Sequence, residues 1–200
     1  MGSEFLVYLR LGFEHIADLR GYDHILFIAA LCAVYRFAEW KHLLWLVTAF
    51  TVGHSVTLAL ATLDVVRIND ALVEFLIPLT IFFTAVVNIA ERQAPEGWRA
   101  AYAKYAMALG FGLIHGMGFS NYLRAVLFEE DSLFVPLLAF NVGLEVGQVA
   151  ILLVLLAVAH GVVRFLGLPR REWVVALSGA AAGIALTLML ERVPLPGGGL

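Results

Sequence analysis

Six stretches of this chain run apolar for about the length that crosses a bilayer: residues 21–37, 42–63, 71–90, 102–123, 133–165 and 173–190. A hydrocarbon core about 30 Å thick takes roughly 20 residues of helix. Inside it every backbone N–H and C=O must be bonded within the protein, which a helix achieves within one segment. Hydrophobic residues make up 62% of the chain, against roughly 45–50% for a soluble domain. A soluble fold of 200 residues could not hide that much apolar surface. The expected fold is therefore all-α, an integral membrane helical bundle of about six transmembrane helices.

Residues 5–20 are too charged to span. They read as an amphipathic N-terminal segment that lies at the interface or folds back onto the bundle. Pro136 is tolerated near the start of the fifth helix. Residues 1–5 read as a cloning-site remnant, residues 6–192 as a single transmembrane domain, and 193–200 as a loose Pro/Gly-rich tail. No cleavable signal peptide is expected, because Glu4, Arg10, Glu14, Asp18 and Arg20 interrupt the first 20 residues.

The loops that would follow helices one, three and five hold Arg36, Lys41, Arg92, Arg99, Lys104, Arg164, Arg170 and Arg171. The other side holds Arg10, Arg20, Arg67, Arg124 and Arg192, and the acidic run Glu129-Glu130-Asp131. Cytoplasmic loops carry the excess of Lys and Arg. Both termini are thus expected on the periplasmic side of a bacterial inner membrane. No basic run points to nucleic acid. Cys32 stands alone, so neither a disulfide framework nor a cysteine metal site is available.

Against this background the polar residues stand out. Ionisable groups in hydrocarbon are costly, and they usually face a partner, a metal or a water-filled path. Here His15, Asp23, His24, His54, Glu74, His115, Asn141, Glu145 and Gln148 lie inside or at the edge of the apolar segments. Asp23 and His24 begin the first span, and Glu74 begins the third on the same side. His54 and His115 lie just past the middle of helices running back toward that side. Asn141, Glu145 and Gln148 lie in the first half of the fifth. All therefore fall in the outer half of the membrane, as one shared site requires.

Asp23-His24 places a carboxylate at a helix N-terminus, beside an imidazole, a usual ligand pair for a divalent transition metal. A simple N-cap is the plainer alternative. His15 is either a ligand swung in from the interfacial segment or a residue of its polar face. Thr51, His54 and Ser55 share one helix face. His115 sits among Gly110, Gly112, Gly116 and Gly118, small residues that admit close helix approach. Asn141, Glu145 and Gln148 make one polar stripe, which fits a ligand group or an interhelical hydrogen-bond ladder. His42 and His160 face the other side and read as interfacial.

The motifs GFEHI-x4-GYDHILF, TAFTVGHSVTLAL, GFGLIHGMGFS and FNVGLEVGQ, in that order over residues 11–155, resemble the HupE/UreJ family of small bacterial membrane proteins. The resemblance implies a nickel permease or accessory role, with Asp23, His24, His54 and His115 at the matching motif positions. The residues themselves suit nickel, zinc, copper or iron equally. The expected function is a membrane protein that binds a divalent transition metal, nickel or zinc foremost, and acts as a permease. Asp23, His24, His54, His115 and Glu145 would be ligands, supported by His15, Thr51, Ser55, Glu74, Asn141 and Gln148. The alternative is an intramembrane zinc hydrolase on the same site, since three histidines, a carboxylate and an open position are the parts of a catalytic zinc centre. The expected partners are the lipid bilayer and the metal ion.

Overall fold

The computed structural model describes residues 2–91, 98–126 and 132–194. The acidic run 129–131, Arg92 and most of the C-terminal tail lie outside the described residues. Among them there are eight α-helices and no strand. They are α1 (Gly2–Ile16), α2 (Asp23–Cys32), α3 (Trp40–Thr62), α4 (Asp70–Glu91), α5 (Trp98–Gly118), α6 (Ser120–Val126), α7 (Phe134–Phe165) and α8 (Arg170–Glu191). A 3-10 turn over Phe37–Glu39 leads into α3.

Four helices among the described residues are long and apolar enough to cross a membrane: Phe37–Thr62, Asp70–Glu91, Phe134–Phe165 and Arg170–Glu191. The protein is an integral membrane helical bundle. Two of the six expected spans take other forms. The stretch 21–37 folds as α2, only 10 residues, or about 15 Å at 1.5 Å per residue. The chain then turns, and the guanidinium of Arg170 takes up the carbonyls of Ala33 and Tyr35, which a longer helix would have bonded itself. The stretch 102–123 breaks at Phe119 into α5 and α6. α5 has spanning length, but tyrosines, glycines, Lys104 and His115 lower its hydropathy.

Lipid tails are as apolar as leucine, so helices in a bilayer associate through close packing and polar contacts. α3 and α5 cross through Gly53, Gly112 and Gly116. A Cβ on Gly53 would strike the Leu109 carbonyl, and one on Gly112 or Gly116 the carbonyl of Phe50 or His54. α1 docks on α7 in the same way. A Cβ on Gly12 would strike the Phe140 carbonyl, and one on Gly143 the Leu9 carbonyl. The N-terminal segment therefore folds back onto the bundle, the second of the two arrangements its sequence allows. α2 lies in the middle, with the chain buried from Phe27 through the following turn to Tyr35, and is tied to α4 by Asn88 Nδ2 donating to Ala30 O at 2.6 Å. The apolar core forms around Phe27, Leu46 and Phe50. A second cluster joins Tyr8, Ile16, Leu58, Phe140 and Leu144 where α1, α3 and α7 meet.

Candidate metal centre

Helix directions collect the histidines. α1, α3, α5 and α8 end, and α2 and α4 begin, at the same end of the bundle. His15 lies in the last turn of α1, and Asp23 and His24 open α2. His54 is 0% exposed and His115 1%. The His15 ring centroid lies 4.7 Å from that of His24 and 6.0 Å from that of His54. His24 and His115 are 5.4 Å apart.

One nitrogen from each of His15, His24 and His54 falls within 4.8 Å of the others. Three nitrogens each at 2.0–2.1 Å from a shared ion lie about 3.3–3.6 Å from one another, so closure by about an ångström would let all three ligate. Their bonding state fits that use. Nε2 of His15, Nε2 of His24 and both ring nitrogens of His54 are buried without a hydrogen-bond partner. Leaving such groups unpaired is expensive, and metal ligation would satisfy one nitrogen of each ring.

His115 is oriented by α4. Thr80 Oγ1 donates to Ile77 O at 2.7 Å and lies 3.0 Å from His115 Nε2. A hydroxyl has one proton to give. The imidazole therefore carries its proton on Nε2 and donates it to Thr80. That tautomer, assigned from the bonding pattern, leaves the Nδ1 lone pair free, and Nδ1 is buried and unpartnered. A partner on the second nitrogen is the usual way a ligating histidine is held.

A cavity of about 390 Å³ reaches this group, lined among others by His15, Asp23, His24, Glu74, His115 and Arg192. A second, wider cavity of about 650 Å³ lies against His15, Asp18 and Phe119 and adds Glu14. His15 and Phe119 border both, and their rings are 3.9 Å apart. His54 lines neither cavity and stands behind the other imidazoles. Asp23 Oδ2 accepts from Arg192 Nη1 at 3.1 Å, while Oδ1 has no partner.

The polar stripe of α7 is placed differently. Glu145 Oε1 accepts from Thr48 Oγ1 at 2.6 Å, Gln148 Oε1 from Thr51 Oγ1 at 2.7 Å, and Asn141 Oδ1 from Ser55 Oγ at 2.6 Å. These pairs make a ladder between α3 and α7. Glu145 is not one of the groups whose donor atoms converge on the imidazoles. Gln148 Nε2 is buried and unpartnered. Glu74 is exposed at the cavity wall. At the opposite end, His42 Nδ1 lies 2.8 Å from the Tyr105 hydroxyl, and His160 is exposed.

Three residues of the site were not among the sequence candidates. Thr80 carried a signal, a hydroxyl within an apolar span facing a histidine. Arg192 and Phe119 carried none, because their roles depend on contacts between distant helices.

The family model described as HupE / UreJ protein matches residues 1–192. No curated protein and no solved structure matches the chain.

Proposed function

The chain belongs to the HupE/UreJ family, and on that basis we propose that it is a permease for a divalent transition-metal ion, nickel first, with zinc the closest competitor. The observation that carries this reading is the convergence of unpaired, buried nitrogens from His15, His24 and His54. Neutral imidazole nitrogen is a strong ligand for nickel, zinc and copper. Asp23 supplies an anionic oxygen beside them, and His115 Nδ1 a further nitrogen.

In this reading the metal is cargo. Glu14, Asp18 and Glu74 at the cavity walls raise the local concentration of cations. Asp23, His15 and His24 take the ion from water, and His54 and His115 hold it deeper. The ladder Ser55–Asn141, Thr51–Gln148 and Thr48–Glu145 continues along α3. Thr48 is six positions from His54, about 9 Å by helical rise. These oxygens offer the departing ion a polar way along the α3–α7 contact, and Glu145 gives it a carboxylate at the far rung. The site would face the periplasm, with both termini on that side of the inner membrane.

The test is metal binding by the detergent-purified chain after a chelator wash, followed by uptake into proteoliposomes. Reversible nickel binding at one ion per chain, with saturable uptake, supports the permease. A zinc ion that survives the wash, with no uptake of any divalent metal, overturns it in favour of the hydrolase alternative.

A further inference from the structure

At the end of the bundle remote from the histidines, a cavity of about 310 Å³ opens between the turn after α2, the C-terminal half of α7 and the start of α8. Arg36, His160 and Arg170 line it, with Phe37, Leu156 and Val163. Arg170 Nη2 is fixed on the carbonyls of Ala33 and Tyr35, while its Nε is buried with no partner. The nearby carboxylate of Glu39 accepts from the Arg36 backbone N–H at 2.8 Å and is not among the lining groups. The cavity therefore presents two guanidiniums and an imidazole, and no acid.

A groove of about 340 Å³ runs on from it, sharing Phe37 and Leu156 and continuing past Trp40, Leu44, Leu152 and Leu153. Every residue along it is apolar. From Phe37 in the 3-10 turn to Leu44 on α3, and from Leu156 to Val149 along α7, the groove covers seven residues, about 10 Å along α7. A basic pocket at the membrane surface that opens into an apolar groove toward the bilayer centre matches the two ends of one molecule.

We propose that this cavity and groove bind an anionic phospholipid, with the headgroup phosphate on Arg36, Arg170 and His160 and the upper part of one acyl chain in the groove. Basic pockets between transmembrane helices bind acidic lipid headgroups through such contacts, and arginine pairs with phosphate through two parallel donors. A free phosphate would satisfy the arginines and leave the groove unused. The site is independent of the metal centre at the other end.

The experiment is native mass spectrometry of the whole chain, delipidated in detergent and then offered phosphatidylglycerol and phosphatidylcholine of the same acyl chains. The expected result is several-fold greater retention of phosphatidylglycerol. Arg36→Gln, which keeps the backbone N–H to Glu39, should remove that preference. Leu153→Trp, which adds an indole at the lip of the groove, should reduce retention of both lipids. Nickel binding should stay unchanged in both variants, which reports that they fold. Equal retention of the two lipids by the unaltered chain overturns the proposal. So does an undiminished preference in Arg36→Gln, or complete displacement of phosphatidylglycerol by inorganic phosphate at millimolar concentration.

Discussion

Arg192, at the end of α8, places Nη1 3.1 Å from Oδ2 of Asp23, the first residue of α2. The pair is largely shielded, with side chains 28% and 15% exposed. A guanidinium thus rests on the carboxylate nearest the imidazoles, where a divalent cation would compete for it. Replacing Arg192 by Gln should free Asp23 and tighten nickel binding, about tenfold for a change of ~1.4 kcal/mol. The metal-free protein should melt at lower temperature. Titration calorimetry on the two proteins checks this, and weaker binding by the variant would contradict it.

His54→Ala and His115→Ala should each abolish stoichiometric nickel binding, a loss beyond the 10–100-fold typical of an outer-shell change. His160→Ala, at the opposite end, should bind as the parent does. Elemental analysis after a mild chelator wash reads all three. Full metal content in the His54 variant would rule out a single shared site.

Thr80→Val removes the acceptor that holds the Nε2 proton of His115 while keeping the side chain's shape. Stoichiometry should persist, with affinity down about 10–100-fold. Thr80→Ser, which keeps the hydroxyl, should restore most of it. An unchanged affinity in Thr80→Val would show that Thr80 does not orient the imidazole.

Gly143→Ala adds a methyl group that meets the Leu9 carbonyl, so α1 and α7 must separate. Overpacking of this kind costs about 1–3 kcal/mol, and it would draw His15 away from His24 and His54. Nickel affinity should fall at least about tenfold. Gly183→Ala, where a Cβ meets nothing within 4 Å, should be neutral in the same competition assay with a metal-sensitive dye.

The long spans could be read from the sequence because a hydrocarbon solvent imposes length and composition together. The run 133–165 appears as Phe134–Phe165, and 71–90 as Asp70–Glu91. The histidines could be singled out for the same reason, since each is costly where it lies. What was hidden depends on pairs far apart in the chain. Hydropathy does not reveal that Arg170 closes off α2, or that Arg192 returns to Asp23. Nor does it show that Glu145 meets Thr48, 97 positions away, since a stripe of polar residues on one helix does not name the helix that answers it. α1 is the clearest case: its charges marked it as non-spanning, but only the backbone contact at Gly12 and Gly143 fixes where it docks.

That contact also sets an order of events in the making of the protein. His15 emerges from the ribosome more than a hundred residues before the surface that holds its helix, around Phe140 and Gly143 of α7. Until α7 has entered the membrane, α1 has no seat and the histidine group lacks one of its members. Arg192 arrives later still. A nascent chain therefore begins insertion without a complete metal trap, and the site matures only after α7 and α8 have followed the earlier helices.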